Sequence, residues 1–285
     1  MRRWNGWGDD SVIYPLAASA AKKLSEWVGP SAPKPEAARE DVLKRVPASR
    51  LSAHPLVSTD AETRLRHACG QSFPDWVAMR SGEIPAFPDG VAFPENEAHV
   101  MELLSYAKKA GVKLIPYGGG TSVVGHISAP ADSPSLTVSM ARMNQLLDLD
   151  KTSMLATFGA GVSGPDLEAH LRAHDLTLGH YPQSFEYSTL GGWIVTRSSG
   201  QQSLRYGRIE KLFAGGRVVS PAGVLDLPNF PASAAGPDLR ESILGSEGRL
   251  GFVTQATVRV SPLPQVEAFH AVFFPDFESG QESVR

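Results

Sequence analysis

The sequence predicts an α+β fold of two subdomains behind a helical lead segment, and three observations predict it. A strand–helix–strand unit runs from Val91 to Pro116, with an amphipathic helix at its centre. Short apolar runs at Leu136–Met140, Met154–Phe158 and Thr257–Val260 read as further strands. Glycine (27 of 285 residues) and proline (22) exceed their usual shares of about 7% and 5%. That excess breaks the chain into many loops and argues against long-helix architectures. The lead is placed at residues 1–52 and the subdomains at about 53–150 and 151–264, meeting near Lys151.

Composition narrows the function classes. A net charge of −3 gives no global attraction to nucleic acid or to an anionic membrane. The single cysteine, Cys69, excludes an internal disulfide and gives no reason to invoke an oxidising compartment. The opening MRRWNGWGDD carries two arginines but no apolar stretch after them, so it reads as neither a secretory nor a twin-arginine signal. No apolar run approaches the roughly 20 residues of a membrane helix. A cytoplasmic protein is expected.

In the lead, Ala17–Val28 is expected to be helical, with Ala20, Leu24, Trp27 and Val28 on one face. Pro30, Pro33 and Pro35 stop it. A second helix is expected over Glu36–Val46, ended by Pro47. The aromatic opening reads as a surface-wrapping extension with aromatic anchors. His67–Pro88 is rich in turn residues, and its Asp75, Trp76 and Arg80 read as a structural polar–aromatic cluster. Val91–Phe93 is then a strand. Glu95–Ala110 follows as a helix, with Val100, Leu103, Leu104 and Ala107 on one face and Gly111 as its stop.

The strand Leu114–Pro116 leads into Gly118, Gly119 and Gly120, then Thr121 and Ser122, in the stretch LIPYGGGTSVVG. Three glycines permit a turn with φ > 0 and close approach to the backbone, so that successive N–H groups can converge on an anion. The stretch reads as a pyrophosphate cradle for a nucleotide cofactor, or as an ordinary glycine loop. Gly120 and Gly125 have P-loop spacing, but His126 and Ile127 stand where lysine and a hydroxyl are needed. A dinucleotide fingerprint starting at Gly118 would end at Val123, so it fails as well.

Further on, Asp148 and Asp150 lie in an expected linker. Gly159-Ala-Gly161-Val-Ser-Gly164 matches the dinucleotide fingerprint letter for letter. It is rejected because Pro165 favours the first helical position, so the helix Pro165–His174 would start too late. No acidic residue ends the next strand, Leu176–Leu178, either. His170 and His174 are four apart and His180 is close in sequence, but no cysteine or carboxylate completes a site, so no metal is assigned. Tyr181–Gly200 crowds Ser184, Tyr187, Ser188, Thr189, Thr196 and Ser198 beside Gly191 and Gly192. Buried unpaired hydroxyls are costly, so the cluster reads as a slot for a polar ring system. Arg197 is its cation, suited to an anionic reduced ring or to an anionic substrate. In Gly236–Val253, Asp238 is expected to cap a short helix before GSEGRLG, and Pro262 and Pro264 end the unit.

These segments carry a resemblance. PYGGGTSVVG is similar to the pyrophosphate loop of the FAD-binding (PCMH-type) domain shared by the vanillyl-alcohol oxidase and p-cresol methylhydroxylase superfamily. QSFEYSTLGG and TRSSG resemble that family's D-S-x-E-x-S-T-x-G-G and T-R-A-S-G, with Gln183 in place of the leading acid and Ser198 in place of the alanine. EGRLGFV resembles its E-G-x-L-G-x-I. The three stand in the family's order between about Ala53 and Pro264, and RRWNGWGD resembles the start of bacterial proteins of the alkylglycerone-phosphate synthase branch. The resemblance implies FAD contacts at Pro116, Tyr117, Gly118, Gly119, Gly120, Thr121 and Ser122. It implies others at Gln183, Ser184, Phe185, Glu186, Tyr187, Ser188, Thr189, Thr196, Arg197, Ser198 and Ser199. The third group is Glu247, Gly248, Arg249, Leu250, Gly251, Phe252 and Val253.

A dissociable flavin is expected, since Cys69 lies far upstream and His126 should sit nearer phosphate than ring. Residues 265–285, with HAVFFPDFESGQESVR, resemble the first strand and turn of a substrate-capping domain. The rest of that domain would carry the catalytic residues, so none is assigned, and the chain alone is expected to bind FAD without turnover. The activity implied is exchange of an acyl group for a long-chain alcohol on a lipid precursor, with no net redox change. The alternatives are an FAD-dependent 2-hydroxy-acid dehydrogenase or oxidase, or a non-catalytic or split flavin-binding fragment that pairs with a partner chain or with itself.

Overall fold

The helix at the centre of the first half runs Glu97–Ala110. It starts two residues later than expected because the Asn96 side chain accepts the His99 N–H at 2.9 Å and so caps it. Gly111, at φ 66°, closes it in the left-handed conformation that glycine adopts without penalty. Val100, Leu103 and Ala107 are buried and Leu104 is half-buried, so the expected apolar face does face the core. The structure, a computed structural model, describes residues 2–30 and 35–285; Pro33, one of the expected helix stops, lies outside them.

The fold is α+β. The first sheet contains β1 (Val57–Ser58), β2 (Gly90–Ala92), β3 (Lys113–Tyr117) and β4 (Ser135–Ser139), in the order β1-β2-β4-β3. β2, β4 and β3 are parallel and β1 joins antiparallel. The second half contributes β5 (Leu146–Asp150), β6 (Leu155–Gly159), β7 (Leu176–Thr177), β8 (Phe213–Ser220), β9 (Gly223–Leu227), β10 (Phe252–Arg259) and β11 (Ser261–Pro262). Five of these form an antiparallel sheet in the order β5-β6-β10-β8-β9, and β7 pairs with β11.

Several expectations need correction. The linker of Asp148 and Asp150 is the edge strand β5, in which Leu146 and Leu149 pack on the core. Charges are common on edge strands because they discourage further pairing. The second sheet therefore begins at Leu146, inside the span expected for the first subdomain. The β8–β9 hairpin was not foreseen. It runs through Gly215 and Gly216, where a Cβ at either would collide with backbone, of Leu227 and Gln255 respectively. The helix expected over Pro165–His174 is Gly164–Arg172, because Ser163 caps it one residue earlier.

In the lead, the helix Ala18–Val28 forms but buries none of its residues, and Trp27 and Val28 are exposed. The expected Glu36–Val46 helix is only Arg39–Leu43. Residues 265–275 form no strand; they make no backbone hydrogen bond among the described residues, and Asp276 then caps a helix, Phe277–Val284. No helix among the described residues is long and apolar enough to cross a membrane.

A joint between the two halves centres on Glu97. Arg217 on β8 donates to both Glu97 oxygens at 3.0 and 2.9 Å, and Thr254 on β10 donates to Glu97 at 3.2 Å. The paired guanidinium holds the Glu97 carboxyl below the usual range. Beside this pair, Val219 and Phe252 from the second sheet join Val100 and Leu103 of the helix in one buried cluster.

Candidate functional site

Three loops meet at that joint and line a cavity of about 340 Å³. The first leaves β3, and Pro116, Tyr117, Gly118, Gly119, Gly120, Thr121 and Ser122 all line the cavity. From the second loop Ser184, Ser188, Thr189, Thr196 and Ser198 do so, and from the third Glu247, Gly248, Gly251, Phe252 and Val253. The cavity does not gather the rest of the expected set. Gln183, Glu186, Ser199 and Leu250 are exposed. Arg249 lines a neighbouring cleft of about 1000 Å³, which shares Pro116, His126, Glu247 and Phe252 with the first.

The glycine loop is built differently from the expectation. Each of its glycines makes room for protein. A Cβ on Gly118 would strike Thr189, one on Gly119 the Tyr187–Ser188 backbone, and one on Gly120 the Tyr117 hydroxyl. Only Gly120 of the three has a left-handed φ, 65°. The loop thus lies against the second loop, with the buried ring of Tyr117 beneath it. Burial raises the Tyr117 phenol, which stays neutral. Among the described residues, the backbone N–H groups of residues 119–123 have no protein acceptor. The Gly119 and Gly120 carbonyls, in contrast, are taken by the Arg2 guanidinium. Five successive N–H groups without a protein acceptor, on a loop that lines a cavity, are donors of the kind that can hold an anion.

In the second loop, several hydroxyls expected to face a ring instead hold the loop together. Ser188 accepts the Trp193 indole N–H at 2.7 Å and donates to Ser184 O at 2.8 Å. Thr189 caps the helix Leu190–Val195, and Thr196 donates to Gly192 O at 2.8 Å. Ser198, in the position of the family's alanine, bonds His180 Nε2 at 3.1 Å. His180 is buried, which pushes its pKa down to about 4, so the ring is neutral. Arg197 does not line the cavity. It sits at φ 54°, which turns its side chain away, and its guanidinium pairs with Glu241. Phe185 stacks on Trp193 at 6.5 Å, and Tyr187 lies under Arg2.

The approach to this loop rests on a carboxylate the sequence reading passed over. Glu168 is buried and accepts from Thr177 Oγ1 at 2.8 Å, Leu178 N at 3.0 Å and Gly179 N at 3.2 Å. The third loop is tied to the first by His126, whose Nδ1 lies 2.7 Å from Glu247 and 3.1 Å from Ser122 Oγ. Glu247 has φ 57°, an uncommon conformation for a residue with a Cβ, and its N–H is held by Val195 O at 2.8 Å. A spacing argument alone could have paired Ser122 with His126, which are four apart; nothing in the sequence points to Glu247 as the partner.

Two other motifs carry no site. At Gly159, Gly161 and Gly164 a Cβ would strike Met143, Met140 and Phe185. The register argument against this fingerprint fails, since the helix does begin at Gly164, but packing replaces it. β6 is also antiparallel to both neighbours, where a dinucleotide fingerprint follows a parallel strand. His170 lies on the helix 6.2 Å from Phe158, His174 lies beyond its end, and His180 faces Trp193. No cluster of three or more metal-ligand side chains occurs among the described residues. Cys69 is buried, which pushes its thiol up to about 12, and it does not line the cavity.

Comparison with known proteins agrees with this geometry. Residues 88–227 match the model of an FAD binding domain. An alkyldihydroxyacetonephosphate synthase of Dictyostelium discoideum is 41% identical over 220 residues, 76% of this chain and 36% of that protein. One of Caenorhabditis elegans is 36% identical over 284 residues, 98% of this chain and 46% of that protein. A solved alkyldihydroxyacetonephosphate synthase superposes with a TM-score of 0.80 at 31% identity, covering 93% of this chain and 54% of that one. The chain spans about half the length of the curated relatives it matches, or less. The chain carries an FAD-binding domain of the PCMH type and is similar to the alkyldihydroxyacetonephosphate synthases.

Proposed function

We propose that residues 53–264 hold FAD non-covalently where the three loops meet, and that the chain serves an alkyldihydroxyacetonephosphate synthase-type exchange. The observation that carries the first part is the row of unpaired N–H groups at 119–123 on a loop lining the same cavity as the second and third loops. A pyrophosphate there would take up donors that the protein leaves unpaired. Neutral Tyr117 beneath the loop opposes no anion. Ser184 and Ser198 line the same cavity, the latter with its hydroxyl on His180 Nε2. When bound, the flavin supplies the reactive ring; the chain supplies orientation and electrostatics. The exchange reading rests on likeness that extends over 98% of the chain, including its lead segment.

The first part is tested by denaturing the purified protein and identifying the released nucleotide. FAD is expected, in the supernatant after acid precipitation. FMN, a nicotinamide nucleotide or colour retained in the pellet would refute it. For the second part, acyl-dihydroxyacetone phosphate is expected to perturb the flavin spectrum with no electron acceptor consumed. Bleaching by a 2-hydroxy acid, with no response to the acyl compound, would favour a dehydrogenase.

A further inference from the structure

We propose that Arg2 is a positioning residue for the pyrophosphate site: from outside the cavity it sets the direction in which the glycine loop's N–H groups point. The inference rests on the FAD reading above. Residues Arg2–Asp9 form a turn closed by a bridge between Arg2 and Asp9 and by Arg3 N donating to Gly8 O at 2.8 Å. Trp4 anchors this turn in a buried cluster with Val42 and Leu65. Arg66 Nη1 donates to the Arg2 carbonyl at 2.5 Å, and Arg66 is held in turn by Glu62 at 2.6 Å. The Arg2 backbone is therefore fixed, and its side chain reaches the far side of the glycine loop.

There the guanidinium donates to the Gly119 carbonyl, and through Nη2 to the Gly120 carbonyl at 3.4 Å. A trans peptide is planar, with its C=O and N–H pointing in opposite directions. The Gly119 carbonyl shares its peptide with the Gly120 N–H, and the Gly120 carbonyl shares its peptide with the Thr121 N–H. Drawing both carbonyls toward Arg2 turns both N–H groups away from it, toward the cavity that these residues line. A glycine-rich loop has many competing peptide orientations. A fixed bidentate cation behind it selects one, and the same positive charge favours an anion in front. The guanidinium also lies 5.1 Å over the Tyr187 ring, whose edge contact with Trp7 is at 4.9 Å. The lead turn thus clamps the first and second loops together.

The experiment uses the whole 285-residue chain with Arg2→Ala and Arg2→Lys substitutions. Affinities are measured for FAD, for ADP (pyrophosphate without the ring) and for riboflavin (the ring without phosphate), with thermal unfolding of each apoprotein alongside. Arg2→Ala is expected to weaken FAD and ADP by roughly tenfold or more, the usual scale for losing charge-assisted hydrogen bonds. Riboflavin affinity and the apoprotein melting temperature should stay where they were. Arg2→Lys, which keeps the charge and one donor arm, should recover part of the loss. Unchanged FAD affinity in Arg2→Ala overturns the proposal. So does an equal loss of riboflavin affinity with a lowered melting temperature, or a lysine variant no better than alanine. Failure of the parent chain to bind FAD removes the functional reading itself, which the variants alone cannot do.

Discussion

Gly119→Ala is expected to damage the fold before it touches the cofactor. The added Cβ would overlap the Tyr187 carbonyl oxygen, lie 2.6 Å from its carbon and 2.9 Å from Ser188 Cα, where ordinary contact begins at 3.4 Å. The obstacle is backbone, so no rotamer change relieves it. Ser188 cannot retreat freely, because its hydroxyl holds Trp193 and its N–H bonds Ser184 O at 2.8 Å. Overpacking in a fixed setting costs about 1–3 kcal/mol. At about 2–4 °C per kcal/mol for a domain of this size, the apoprotein should melt roughly 2–12 °C lower. The control is Gly125→Ala, where nothing lies within 4 Å of the new Cβ and only the φ of 73° resists, a cost of about 1 kcal/mol. Circular dichroism melts of the two apoproteins compare them. If Gly119→Ala melts within a degree of the parent yet loses FAD, the glycine serves the ligand and the packing argument is wrong.

Three further outcomes are expected. Glu168→Ala should destabilise by roughly 3 kcal/mol in urea unfolding, since it strands the Thr177 hydroxyl and the N–H of Leu178; Glu168→Gln, which keeps one acceptor oxygen, should cost less. His180 has its folded pKa pushed from 6.5 to about 4 by burial, so its contribution is intact above pH 6.5 and is lost as pH falls from there toward 4, amounting to at most about 3 kcal/mol; His180→Gln should flatten that part of the stability–pH curve, and an unchanged curve would refute it. Cys69, buried with its thiol raised to about 12, should resist iodoacetamide at pH 8 in the folded protein, with rapid alkylation by mass spectrometry as the contrary result.

How much of this was legible in the sequence depended on the range of the interaction. The helix expected over Glu95–Ala110 was readable because its signals are local, with Gly111 as its stop and a buried face that repeats at helical spacing, although the Asn96 cap moves its start to Glu97. The three loops were readable as short strings, and the structure brings all three to one cavity. The β8–β9 hairpin was not, because glycines at 215 and 216 signal a turn unless the partner strand crossing them is known. Arg197 looked like the site's cation because it is the charge nearest in sequence, whereas Glu241, 44 residues on, takes it. Arg2 lies 117 residues from its acceptor, and Arg217 lies 120 from Glu97. Such pairs follow from the packing of two sheets, which no local pattern encodes.

The two glycine motifs of this chain show what a glycine string leaves undecided. Both GGG at 118–120 and GAGVSG at 159–164 sit after strands, and in both a Cβ would strike neighbouring protein. Steric need is therefore the same, and it cannot tell a ligand loop from a bend. The difference is in where the backbone hydrogen bonds go. In the second motif Gly159 N, Ala160 N and Gly161 N donate to Gln145, Thr254 and Met143 carbonyls at 2.9, 3.1 and 2.8 Å, so these donors are used by the protein, although Ala160 also lines the cavity. In the first, the N–H groups of residues 119–123 donate to nothing in the protein among the described residues, while two of the opposing carbonyls are held by Arg2. One loop uses its freedom to bond the protein, the other to leave its donors for something else.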